Sequence, residues 1–323
     1  MAAKDPPAKW RSNGRNLTCG GIAGMLSRTV VSPLERLKIL YQVQYVTGHD
    51  GANKKYRGVN HALRTIFREE GMRGFYKGNG SNVIRVFPYV GTQFAAFEQY
   101  AAWYLARFAP HREGANNKAK LKPLEKLCVG AGAGITSVAI TYPLDVVRGR
   151  LTAQGGATGV HYDGILSTMR GVLRTDGIRG LYAGFGVSLC GVGPYVGLNF
   201  LTYEELKQRA PVEEGAKGPN ALWLAACGAV AGTTGQTVSY PFDLMRRRFQ
   251  LQTMSESTVH YTSIPGAFVH TVRTEGVLGL FKGYLPNFIK TWPTIAIMFW
   301  ANDMLKQSGA IDSLFGLSDD DDE

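Results

Sequence analysis

The sequence is poor in the features that usually announce either a membrane protein or an enzyme. No uninterrupted apolar run reaches 18 residues, which disfavours a simple bundle of fully apolar spans. Its four cysteines, Cys19, Cys128, Cys190 and Cys227, form no CxxC pair. With no secretory signal peptide, they argue against a disulfide framework or a zinc site and read as small apolar residues on helices. The first fifteen residues are basic without an apolar stretch, and Pro6 and Pro7 argue against an amphipathic presequence. A Walker loop, GxGxxG after a strand, GxSxG and HExxH are missing, as are an RNP box and a helix-turn-helix. Six histidines (His49, His61, His111, His161, His260 and His270) are scattered over predicted loops and short helices. No cofactor, metal or nucleic-acid partner is implied, and a soluble enzyme or a basic nucleic-acid-binding protein becomes a remote alternative.

What the chain does have is glycine and positive charge. Its 323 residues include 40 glycines, about 12% against roughly 7% in average proteins. Lys+Arg of 36 against Asp+Glu of 25 gives +11, and the pI near 9.5 points to a polyanionic partner. Apolar content of 45% excludes a disordered or collagen-like chain. A mean hydropathy of -0.10 reads as soluble, unless membrane spans carry deliberate charges.

A threefold repeat decides between these readings. Ser32-Pro33-Leu34-Glu35-Arg36-Leu37-Lys38 recurs as Tyr142-Pro143-Leu144-Asp145-Val146-Val147-Arg148 and as Tyr240-Pro241-Phe242-Asp243-Leu244-Met245-Arg246, with prolines 110 and 98 residues apart. Glu70-Gly71, Asp176-Gly177 and Glu275-Gly276 keep similar spacing, as do Pro88, Pro194 and Pro293. Each unit reads as a long helix, a polar loop, a short amphipathic helix and a second long helix: about 17–46, 60–69 and 79–107, then 124–153, 165–175 and 186–208, then 221–250, 265–275 and 285–306. Each long segment can cross a hydrocarbon core of about 30 Å. Gly20/Gly24, Gly130/Gly134 and Gly228/Gly232 are expected to let helices approach closely in lipid. The acid two residues after each signature proline and the base three further on are costly inside a membrane. A ring of three acids and three bases, paired between helices, relieves that cost.

These residues resemble the mitochondrial carrier family, whose signature Pro-x-[Asp/Glu]-x-x-[Lys/Arg] occurs three times per chain. The resemblance implies an all-α membrane protein: six transmembrane helices in three pseudo-threefold repeats, with short matrix-side helices. Repeats are expected at 17–108, 124–209 and 221–307, between a flexible N-terminus 1–16 and an acidic tail 308–323. The family works as solute exchangers of the mitochondrial inner membrane, alternating between cytoplasm-open and matrix-open states. The implied matrix gate pairs Glu35 with Arg148, Asp145 with Arg246 and Asp243 with Lys38, braced by Gln42 and Gln250; Thr152 stands at the third brace position. The implied cytoplasmic gate pairs Glu98 with Lys207 and Glu204 with Lys306, leaving Asp303 without its usual partner, so this gate should be the looser. Gly58, Gly78, Gly164, Gly184 and Gly283 fall where the family holds cardiolipin headgroups, at helix N-termini suited to phosphate.

The family's substrate contact points fall on Arg85, Gly191 and Lys290. A Gly191-Val192 pair resembles nucleotide-type carriers, in which the glycine opens a slot and the valine offers an adenine ring an apolar wall. Tyr195 adds a stacking face, and Arg28 matches a basic cavity residue of nucleotide exchangers. Arg28, Arg85 and Lys290 have no acid assigned in the gate scheme, and arginine suits a polyphosphate. The expected substrate is a phosphorylated, adenine-containing anion: an AMP, ADP or ATP-type nucleotide, alternatively coenzyme A or an adenosine phosphosulfate. Arg246-Arg247-Arg248-Phe249-Gln250-Leu251 departs from the ADP/ATP exchanger's signature, and about 16 residues before the first helix argue against calcium regulation. The protein is expected to be a monomer.

Overall fold

In a computed structural model of the protein, residues 8–44, 55–56, 58–108, 121–154, 162–209, 221–254 and 261–308 are described, and they form helices and turns. The acidic tail and Arg57 lie outside them. The first unit comprises α1 (Ala8–Val43), α2 (Val59–Gly74) and α3 (Asn79–Phe108). The second has α4 (Pro123–Ala153), α5 (Ile165–Thr175), the single turn α6 (Gly177–Leu181) and α7 (Phe185–Gln208). The third has α8 (Ala221–Leu251), α9 (Ile264–Glu275), a 3-10 turn Val277–Phe281 and α10 (Tyr284–Gln307). The helix α1 starts nine residues before the expected position 17, so much of the N-terminal segment read as flexible is helical.

The six long helices contain 24 to 36 residues, or roughly 36–54 Å at 1.5 Å per residue, more than a hydrocarbon core needs. Of these, Leu124–Ala153 and a stretch ending in α7 (Gly177–Gln208) are apolar enough to span on composition alone. Close packing joins neighbouring units, α3 on α4, α7 on α8 and α10 back on α1, which closes a ring. Ser27 donates to the Thr294 carbonyl at 2.7 Å across the closing seam.

The glycine stripes of the odd helices do not mediate that packing. A Cβ on Gly20, Gly134, Gly228 or Gly232 would meet nothing within 4 Å, and on Gly24 or Gly130 only ordinary contact at 3.9–4.0 Å. Gly130 and Gly134 instead line the central cavity. A tight approach to backbone is at Gly235, where a Cβ would lie 2.9 Å from the Tyr195 carbonyl oxygen, and Gly21 comes as close to the Phe87 ring.

At the signature end a second threefold set of ion pairs ties the short helices to the odd ones. Arg36 meets Glu70 at 2.7 Å, Arg150 meets Asp176 at 2.6 Å, and Arg248 meets Glu275 with one contact at 2.8 Å. The acids stand just before Gly71, Gly177 and Gly276, whose φ values of 66°, 65° and 73° favour glycine. Arg150 and Arg248 lie seven residues after their prolines. In the first unit Leu40 takes that place, and Arg36, one turn earlier, reaches the acid instead.

Candidate substrate cavity and ion-pair ring

The odd helices converge at their signature ends, where the residue before each proline anchors the even helix that follows. Ser32, Tyr142 and Tyr240 donate to the carbonyls of Phe75, Ala183 and Lys282 at 3.1, 2.9 and 2.8 Å. The entry turns of the even helices then dock on the next unit. Gly78, Gly184 and Gly283 have φ of 82°, 77° and 84°. A Cβ on each would lie 3.1, 2.8 and 3.0 Å from the carbonyls of Arg148, Arg246 and Lys38, the three signature bases. Conformation and space both require glycine here. Gly58 and Gly164 face no such restriction, with nothing within 4 Å.

All three expected pairs are in place, with unequal grips. Glu35 is held by Arg148, by Lys290 at 3.0 Å and by Asn82 at 3.3 Å. Asp145 is clasped by Arg246 at 2.7 Å, Arg247 at 3.2 Å, Arg85 at 3.3 Å and Gln250 at 3.0 Å. Asp243 faces Lys38 at 3.8 Å. The braces differ as well. Gln250 and Gln42 each donate to a tyrosine, Tyr142 and Tyr240, at 3.1 Å. The Thr152 hydroxyl turns back to the Arg148 carbonyl at 2.7 Å, because its side chain is too short to cross.

Two of the three cations expected to stand free are therefore partnered: Arg85 with Asp145 and Lys290 with Glu35. Pairing lowers the cost of placing charge at this depth, and the contact-point cations Arg85 and Lys290 join the ring. Arg28 is half-buried, within the field of Arg148 and Glu35, and forms no ion pair among the described residues. Arg247, which the sequence reading passed over, is a further member; its signal was the arginine directly after the signature base. The cations Arg28, Lys38, Arg85, Arg148, Arg246, Arg247 and Lys290 stand around three acids, so this cluster, which reaches the cavity lining through Asp243 and Arg246, keeps four positive charges in excess.

Beside this cluster lies a cavity of about 680 Å³ between α3, α4, α7 and α8, running from Lys126 to Arg246. Gly191, Val192 and Tyr195 form one wall, and Tyr89, with Arg85 5.8 Å from its ring, joins the lining. The slot expected at Gly191 is already occupied: a Cβ there would meet the Phe242 Cβ at 2.9 Å. The glycine lets α7 close on α8, and the space it frees is taken by Phe242. Gly191→Ala should therefore lower the melting temperature, costing about 1–3 kcal/mol by overpacking. Because the contact is with the Phe242 Cβ, which alanine would keep, Phe242→Gly in the same chain should cost less than the two single losses combined; strict additivity would contradict the contact. Ser239, 8% exposed, also lines the cavity and its hydroxyl has no partner among the described residues.

The opposite end is open. Glu98, Lys207, Asp303 and Lys306 are exposed and Glu204 is half-buried. Glu98 and Lys207 form no ion pair among the described residues, and Lys207 instead lies 6.0 Å from the Tyr203 ring. The expected Glu98–Lys207 pair is thus not made in this conformation, in which the signature ends are drawn together.

The comparisons with known proteins agree with this architecture. The family profile described as mitochondrial carrier protein matches residues 9–108, 119–212 and 219–310. The mitochondrial adenine nucleotide transporter ADNT1 of Arabidopsis thaliana is 42% identical over 320 residues, covering 94% of this chain and 89% of that protein. The mitochondrial carrier protein CoAc2 of Zea mays is 38% identical, covering 90% of this chain and 85% of its own. The human mitochondrial adenyl nucleotide antiporter SLC25A24 is 34% identical, over 91% of this chain and 58% of its own. Three matched repeats, a closed ring of six long helices and a signature ion pair in every repeat lead to one conclusion: the chain belongs to the mitochondrial carrier family.

Proposed function

We propose that this protein exchanges adenine nucleotides across the mitochondrial inner membrane by alternating access, as a monomer. The observation that carries the proposal is a cation-rich ring with four surplus positive charges, joined through Asp243 and Arg246 to a cavity with an apolar wall. Phosphates engage Arg28, Arg85 and Lys290 through charge-assisted hydrogen bonds, with Arg246 and Arg247 adjacent. The base lies along Gly191, Val192 and Tyr195, where stacking contributes about 1–3 kcal/mol. The names of the Arabidopsis and human relatives support the same substrate class.

The matrix gate in this reading is the ring of Glu35, Lys38, Asp145, Arg148, Asp243 and Arg246, with Gln42 and Gln250 as braces. Because Arg85 and Lys290 serve both ring and substrate, an arriving phosphate draws them from Asp145 and Glu35. Binding then favours one state over the other, which a ligand must do to move the equilibrium. Glu98, Glu204, Lys207, Asp303 and Lys306 close the cytoplasmic side when the ring opens. Cardiolipin headgroups sit at the helix starts by Gly58, Gly78, Gly164, Gly184 and Gly283. Coenzyme A is the second reading, favoured by the maize relative's name.

A thermal-shift screen of purified protein separates these. AMP, ADP or ATP should raise the melting temperature more than coenzyme A or an adenosine phosphosulfate. A larger shift with either of those replaces the nucleotide assignment.

A further inference from the structure

Building on the nucleotide reading, we infer that Asp243 reads the 6-amino group of the purine and makes the cavity prefer adenine to hypoxanthine. The three ring acids are not equivalent. The Asp145 side chain is 2% exposed and Glu35 22%, each held by several donors. Asp243 is 47% exposed, lines the cavity, and has its ring partner Lys38 at 3.8 Å, beyond hydrogen-bond range. Lys38 itself lies 5.5 Å from the centre of the Tyr240 ring.

Its position is set by tight packing of α7 on α8. Phe242, the preceding residue, fills the space at Gly191, and two turns earlier Gly235 closes on the Tyr195 carbonyl. Asp243 thus lines the same cavity as Gly191, Val192 and Tyr195, the proposed base wall. A carboxylate accepts hydrogen bonds and donates none. It repels the phosphates, which go to Arg28, Arg85 and Lys290, and it favours a neutral donor on the base. Adenine presents an amino donor at position 6; hypoxanthine presents a carbonyl acceptor there, as guanine does. Hypoxanthine keeps an N1–H donor beside that carbonyl, so the discrimination belongs to a carboxylate that meets position 6 itself. There it attracts the adenine amine and opposes the carbonyl, a difference of at least about tenfold in affinity.

The test separates this role from membership of the ring, because Lys38→Gln breaks the same pair and leaves the acid. Binding of AMP and IMP is measured by titration calorimetry for wild type, Asp243→Asn and Lys38→Gln, so that loss of transport in either variant does not matter. Wild type and Lys38→Gln should bind AMP at least about tenfold more tightly than IMP. Asp243→Asn should bind the two within a few-fold, since an amide offers both donor and acceptor. A preference kept in Asp243→Asn, or lost equally in both variants, overturns the inference. Should Asp243→Asn fail to fold, wild type alone decides: purine riboside 5′-monophosphate, which lacks the amine, should bind about tenfold more weakly than AMP. Equal binding of AMP and IMP by wild type overturns the inference and leaves nucleotide transport standing; binding of neither overturns both.

Discussion

Arg85→Ala and Lys290→Ala should each cut nucleotide exchange in liposomes by roughly 10- to 100-fold while leaving the protein folded. Each loses a charge-assisted hydrogen bond to phosphate, among the stronger bonds available to a ligand. The ring survives either change. Without Arg85, Asp145 keeps Arg246, Arg247 and Gln250; without Lys290, Glu35 keeps Arg148 and Asn82. Reduced exchange with an unchanged melting temperature is thus expected. Unchanged exchange in either variant would remove that cation from the site.

Glu275→Gln should produce the largest loss of stability. Arg248 is fully buried and Glu275 is 2% exposed, so the neutral amide leaves a guanidinium without its countercharge. Breaking such a pair costs about 3–5 kcal/mol, equivalent to a melting temperature roughly 10 °C lower. Glu70→Gln should cost less, because Arg36 also donates to the carbonyls of Gly74, Thr152 and Gln154. A smaller drop for Glu275→Gln than for Glu70→Gln would contradict this account. The pH dependence has a defined sign. Burial would raise the Glu275 carboxyl, but hydrogen bonding and charge from Arg248, then Lys282, outweigh it and hold the group below the usual carboxylate range. Its contribution is complete above the ordinary carboxylate pKa and is lost as pH falls through the lowered value. Thermal unfolding between pH 6 and about pH 3 should show that acid loss in wild type and not in Glu275→Gln.

Threefold recurrence made the repeats, the helix order and a ring of three acids and three bases legible, because each marker was seen three times; which acid meets which base followed from the family resemblance. Features that break the symmetry were not legible. Arg36 takes the part of Arg150 and Arg248 from one turn away, so no comparison in register finds it. Arg85 and Lys290 looked unpartnered because their acids lie on other helices and already have signature partners. The sequence cannot show how many cations one carboxylate such as Asp145 collects. Glycine misled twice for a related reason: spacing marks where side-chain bulk is absent, not what fills the space. Gly130 and Gly134 border the cavity, whereas Gly191 and Gly235 are positions of tight helix packing.

Exchange in reconstituted liposomes tests the central claim most directly. Labelled AMP, ADP or ATP should enter vesicles preloaded with adenine nucleotide and should not enter empty ones. Equal uptake by empty vesicles, or none by loaded vesicles with any of the three, would contradict it.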